Sequence, residues 1–389
     1  MTHRILDGVR VLDITQIVAG PVCTRMLADL GADVVKIDSP SRAPGEKQPR
    51  RSAGPAAQNA GKRSIVIDLR KPAGLAIARK FAETADVVVQ NYRPGALAAL
   101  GLGYEALREL NPRLIYATIS GFGEDTSYAS RGAYGATAHA EAGWLWVQQQ
   151  AQGGDEPFAP GVTVADIATG MNACTAIVAA LYDREKTGAG QSINVTLMDS
   201  QLAFLAEAAV PALTAPADAP WIPFRHGLQR ARDGYVAINV GSPRNWQRLA
   251  KAMGSADGAS LQDQKAAERM LEDWVAGRTV EEVASALGSA GAPYGAVYSM
   301  HEALEHPYFA EREMIASIPD PLDGTVRVVG SPLRFSGASS APAGGAPLAG
   351  QHTEAILREL GYDQAAVKRF IESGAVESAA GHQPAPPDA

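Results

Sequence analysis

Asp166 carries the clearest chemical capacity in this chain of 389 residues. It stands in Val164-Ala165-Asp166-Ile167-Ala168-Thr169-Gly170, where Ile167, Met171, Cys174, Ile177 and Leu181 recur at helical spacing. The spacing predicts a long helix over 167–186 with Asp166 at its N-terminus. Two roles suit a carboxylate there. As an N-cap it accepts the exposed N–H groups of the first turn. As a nucleophile it is kept ionised and held in one orientation by the same terminus. The two roles are compatible.

Other chemistries lack their residues. Gly101-Leu102-Gly103 misses the third glycine of the dinucleotide fingerprint and follows no strand directly, which disfavours a nicotinamide-dependent oxidoreductase. There is no GxxxxGK[ST] phosphate loop, and Ser120-Gly121-Phe122-Gly123 is not the GxSxG elbow of a hydrolase. His301 and His306 are off the spacing of a helical metal pair, so no metal is expected. Cys23 and Cys174 make neither a disulfide framework nor a zinc site, and they fit a reducing cytoplasm. The segment 39–63 gathers Arg42, Lys47, Arg50, Arg51, Lys62 and Arg63 among prolines and glycines. It reads as a solvated loop or as a phosphate-binding lip, because clustered Arg and Lys suit phosphate oxygens.

These residues need a scaffold, and the periodicities supply one. Strands are predicted at 9–14, 33–37, 64–69, 86–90, 114–119 and 193–198, with helices at 19–30, 72–84 and 201–210 between or after them. Pro21 is tolerated in a first helical turn, and Gly31 ends that helix. Strand–helix–strand order at this spacing means an α/β fold with a parallel sheet. Pro211 to Pro220 reads as a linker, followed by a smaller α+β domain over 221–315 and a second linker at 316–324. Strands near 326–329 and 333–335 and helices at 353–360 and 364–373 follow, and 374–389 reads as a flexible tail.

Composition narrows the class. The formal net charge of −7 and a pI near 5.6 argue against a general nucleic-acid binder. No apolar run approaches the roughly 20 residues of a membrane helix, and Asp7, Arg10 and Asp13 interrupt any signal peptide. An acidic, cytoplasmic protein of enzyme size is expected.

The chain resembles the family III CoA-transferases, which include formyl-CoA transferase, carnitine CoA-transferase and α-methylacyl-CoA racemase. The resemblance runs in order from residue 5 to about 362. It is carried by Leu6-Asp7-Gly8-Val9-Arg10-Val11-Leu12-Asp13, Ala19-Gly20-Pro21, Leu27 to Lys36, Lys62-Arg63-Ser64 and Asn91-Tyr92-Arg93-Pro94-Gly95. It continues through Leu100 to Tyr104, Ser120 to Gly123, Asp166, Thr187 to Gln191 and Gly350-Gln351-His352-Thr353. The resemblance implies a Rossmann-like large domain built from both chain ends (1–210 and 325–373), a small inserted domain, and two subunits interlocked as a homodimer. It implies acyl-CoA as donor, a carboxylic acid as acceptor, no permanently bound cofactor, and Asp166 as the nucleophile that forms an aspartyl-acyl anhydride. Val18, Ala19 and Asn91 match CoA-contacting positions, with Tyr92 and Arg93 beside them. Arg50, Arg51, Lys62 and Arg63 are candidates for the CoA phosphates.

Some features depart from the pattern. Ala98-Ala99 replace a frequent Asp-Arg pair, which takes away one expected phosphate contact; no glycine-rich loop lies in 211–234, which speaks against formyl or oxalyl substrates. Tyr134 stands where the racemase branch has its proton-shuttling histidine, and His139 is expected to pack on a helix. A racemase and a silent CoA-binding protein remain the alternatives. Arg225 and His226 are candidates to face the second carboxylate of a dicarboxylic acid.

Overall fold

The computed structural model describes residues 3–40, 57–216, 227–238, 242–254, 264–320 and 324–379. Arg10–Ile14 (β1), Asp33–Asp38 (β2), Arg63–Ile67 (β3), Val87–Gln90 (β4), Ile115–Ser120 (β5) and Ser192–Thr196 (β6) pair in parallel in the order β3-β2-β1-β4-β5-β6. The helices between them include Ala19–Asp29 (α1), Pro72–Ala82 (α2), Gly135–Glu141 (α3), Trp144–Gln152 (α4) and Val164–Thr187 (α5), and Leu197–Phe204 (α6) follows β6. The central strands are apolar on both faces because helices cover both. Alternate residues of one strand therefore enter different cores. Val11, Val87, Val89 and Ile115 pack with Leu27 of α1 and Ile177 of α5. Leu12, Ile14 and Val88 pack with Ile77 and Phe81 of α2 and with Ile356 and Leu357 from the far end of the chain.

The chain forms two compact units, residues 1–219 with 312–389, and residues 220–311. The second has its own three-stranded antiparallel sheet, Gly227–Arg230, Tyr235–Ile238 and Tyr294–Ala296. Its core gathers Val236, Ile238, Trp246, Leu249, Val283 and Leu287.

The structure corrects several boundaries. The strand expected over 193–198 ends at Thr196, which caps α6 by accepting the Asp199 N–H at 2.9 Å. Pro211 sits inside the helix Ala206–Thr214 rather than opening a linker; the run is exposed, so water can meet the carbonyl its ring leaves free. The expected linker at 316–324 falls on a hairpin, Ile315–Asp320 against Gly324–Val329, whose β-branched residues favour pairing. Leu333–Phe335 forms no strand. The start of the expected tail is ordered: Val376–Glu377 adds an antiparallel edge to β3, with Ala375 and Val376 buried.

α5 has 24 residues and, contrary to the expectation that no apolar run is long enough, could cross a membrane by length and composition. Half of its most apolar window is buried inside the protein. Its inner face lies on α1, where Gly170 allows the approach. A Cβ at that position would stand 2.6 Å from the Ala19 carbonyl oxygen.

Candidate active site

The strand order reverses between β1 and β4: the chain leaves β1 for β2 on one side and later returns to β4 on the other. The loops beyond the carboxyl ends of such a pair diverge and leave a crevice where open α/β sheets bind ligands. A cavity of about 320 Å³ lies there. The β1–α1 segment 16–19, the segment 91–94 after β4, the end of β5 at 119–121, and the loop 131–134 line it. Asp166 and Leu197 complete the wall.

Asp166 is the third residue of α5, not its N-cap; Thr163 holds that position. The helix starts earlier than its large apolar stripe suggests because Val164 and the fully buried Ala165 already belong to it. The Asp166 carboxylate instead lies against the main chain of Gly135, the first residue of α3. A Cβ at 135 would collide with Asp166 Oδ2, so a larger residue there displaces the carboxylate. Asp166 is 7% exposed. Burial raises its pKa, and the Gly135 N–H opposes the rise by favouring the charged form. Behind it, His139 is buried and accepts the Ala165 N–H at Nε2, 3.0 Å away.

The β1–α1 loop is held in an uncommon shape. Ile17 has φ +69°, which is sterically unfavourable for a β-branched residue. Asn91, directly after β4, secures it. Its Oδ1 accepts the Gln16 N–H at 2.8 Å and its Nδ2 donates to the Gln16 carbonyl at 2.7 Å. Gln16 Nε2 donates to the Tyr92 hydroxyl at 2.8 Å. α1 then begins with no side-chain cap, and Ala19 lines the cavity. Pro21 lacks an N–H, so Ala19 and Gly20 supply the donors of this first turn.

The profile of CoA-transferase family III matches residues 6–353. The chain belongs to CoA-transferase family III. It is 31% identical over 408 residues to an acyl-CoA transferase of Fusarium pseudograminearum, covering 95% of this chain and 88% of that protein. It is 31% identical over 403 residues to the succinyl-CoA:glutarate CoA-transferase of Homo sapiens, covering 96% and 90%. The solved structure of a CAIB/BAIF family protein from Brucella suis is 30% identical, with a TM-score of 0.79 over 92% of this chain and 99% of that one. Relatives named as CoA-transferases support a CoA-transferase enzyme, and such enzymes take CoA thioesters as substrates. The nicotinamide reading ends here: the turn after β1 in this family member reads Thr15-Gln16-Ile17-Val18-Ala19-Gly20, without the glycine fingerprint.

The structure brings Val18, Ala19, Asn91, Tyr92, Arg93 and Asp166 to one cavity. Both polar atoms of the Asn91 amide are already engaged by Gln16, so its visible work is to hold the loop. Arg93 is exposed and makes no ion pair among the described residues. Lys62 and Arg63 are not part of a basic lip. Lys62 is fully buried and donates to Asp13 Oδ2 at 3.0 Å and Thr24 Oγ1 at 2.7 Å. Burial brings its pKa down to about 8, against the pull of the Asp13 charge. Arg63 opens β3 and is spent on Asp33 and Glu359, with contacts of 2.6 and 2.7 Å. Charge counting along the segment misplaced them because both belong to the edge of a strand whose partners are distant in sequence. Arg50, Arg51, Arg225 and His226 lie outside the described residues.

Sequence reasoning passed over Gln16, Ile17 and Arg131. Arg131 pairs with Glu141 at 2.6 Å and stacks its guanidinium 4.6 Å from the Phe122 ring centre. The ten-residue separation from Glu141 was the available signal, and it has meaning only once α3 is known to turn back over the loop.

Proposed function

We propose that this chain transfers CoA from a donor acyl-CoA to an acceptor carboxylic acid, with Asp166 as the nucleophile. The burial of the Asp166 carboxylate in the cavity wall against the Gly135 N–H carries this reading. A carboxylate is a weak nucleophile unless it is desolvated and positioned, and both conditions are met.

Asp166 attacks the thioester carbonyl, the C–S bond breaks, and a mixed anhydride and CoA thiolate result. The thiolate attacks the aspartyl carbonyl of the anhydride, releasing the donor acid and leaving an aspartyl-CoA thioester. The acceptor carboxylate displaces CoA from that thioester to give a second anhydride. Thiolate attack on its acceptor carbonyl yields the new acyl-CoA and regenerates the Asp166 carboxylate. Oxyanions that form on this route need N–H donors, and the uncapped first turn of α1, whose Ala19 lines the cavity, is one source of them. Val18 and Ala19 face the pantetheine arm in this reading, and Arg93 is the described cation at hand for a phosphate or carboxylate.

Named relatives use succinyl-CoA with glutarate or mesaconate, so short dicarboxylic acids are the acceptors we propose first. The homodimer also belongs to this reading. Ile167, Met171, Val178 and Tyr182 leave an exposed apolar stripe along α5, which a second copy would cover. Racemisation is less well supported, because His139 Nε2 is occupied by a main-chain N–H and the cavity wall carries Tyr134 where that branch has its histidine. The test is a screen of succinyl-, acetyl- and aryl-CoA donors against mono- and dicarboxylic acceptors, with Asp166→Asn in parallel. Transfer to at least one acid by the native chain and none by the variant is expected. Exchange of the α-proton without transfer would favour the racemase.

A further inference from the structure

α5 begins without a cap from its own segment. Thr163 occupies the N-cap position, and its side chain accepts nothing from the first turn. First-turn N–H groups have no partner within a helix and must find acceptors elsewhere. Val164 N–H reaches the Val162 carbonyl at 3.1 Å, and Ile167 N–H reaches that of Thr163 at 3.2 Å. The Ala165 N–H is met from another helix, by His139 Nε2 at 3.0 Å. Both residues are buried, at 0% and 2% exposure, so water does not substitute for either. An imidazole that accepts at Nε2 is neutral and carries its proton on Nδ1. Burial lowers the His139 pKa and so favours that form.

α3 therefore reaches the start of α5 twice. The main chain of Gly135 lies against the Asp166 carboxylate, and the imidazole of His139 holds the N–H one residue earlier. One contact fixes the side chain and the other fixes the main chain behind it. His139 does not line the cavity. We infer that His139 is a positioning residue: its Nε2 closes the first turn of α5 across helices and thereby sets where the Asp166 carboxylate stands. This rests on the reading of Asp166 as nucleophile and adds the device that aims it.

An aiming role for His139 separates kcat from KM. A group that only aims the nucleophile leaves acyl-CoA binding alone, whereas a misplacement of about 1 Å can cost about a hundredfold in rate. In His139→Gln the amide oxygen reaches about as far as Nε2 and keeps an acceptor. In His139→Asn the chain is one methylene shorter and does not reach. The Asn variant is expected to lose about ten- to a hundredfold in kcat with the acyl-CoA KM nearly unchanged, and the Gln variant to keep most of the activity. Amide exchange read at residue resolution should find Ala165 protected in the native and Gln forms and exposed in the Asn form. Fast exchange of Ala165 in the native chain would overturn the inference. So would native kcat in the Asn variant, a raised KM with unchanged kcat, or a Gln variant as poor as the Asn one. If the Asn variant does not fold, the native amide and the Gln variant decide. If Asp166 proves not to be the nucleophile, Ala165 protection still responds to residue 139 while activity does not, which separates the two failures.

Discussion

Asp166 is an acid buried in a place where it must be charged to work. Its folded pKa is raised by burial, so the native fold binds its proton more tightly than the unfolded chain does. Above that pKa the buried charge weakens the fold, and the penalty disappears as pH falls through it. Activity runs the other way, because protonation removes the nucleophile. Turnover should therefore fall on acidification at a higher pH than an ordinary aspartate would give. Asp166→Asn should melt at or above the native temperature near neutral pH while showing no CoA transfer, and that thermal gain should vanish in acid. The aspartate itself was legible from its segment. Its partner was not, since Gly135 is 31 positions away and contributes only a main-chain N–H.

At the scale of elements, the site depends on how closely α1 and α5 pack and on how β4 holds the loop after β1. Gly170 sets the first. Gly170→Ala would place a methyl against the Ala19 carbonyl and Val22, costing about 1–3 kcal/mol. It should also reduce turnover, because it parts the first turn of α1 from Asp166; thermal melting and steady-state rates check both. Helix and strand identities could be read from periodicity, since Val87-Val88-Val89 can only be a strand buried on both faces. Ends were less legible. Thr196 stops β6 through one side-chain hydrogen bond, and Val376 becomes a strand only because β3 offers it an open edge.

For the molecule as a whole, the parallel sheet followed from the order of its elements, and the family from motifs spread along the chain. The charge was harder to interpret. A cluster of basic residues suggested a lip for a phosphorylated ligand, yet Lys62 and Arg63 are internal fastenings. Asp13 and Lys62 form a fully buried pair that ties β1 to the start of β3 and to Thr24 of α1. The Lys62 charge holds the Asp13 pKa down despite burial. Removing one partner leaves a buried charge alone, so Asp13→Asn or Lys62→Met should each destabilise by about 3–5 kcal/mol. The double variant should lose less than the sum, as denaturant unfolding would report. Neither residue lines the cavity, so the folded fraction of each variant should retain its acyl-CoA KM.

The central claim is covalent chemistry at one carboxylate. Incubation with a competent acyl-CoA and hydroxylamine, followed by peptide mass spectrometry, tests it most directly. An aspartyl hydroxamate is expected at Asp166, dependent on the acyl-CoA and absent from Asp166→Asn. Steady CoA transfer with Asp166 unlabelled, and undiminished in that variant, would contradict it.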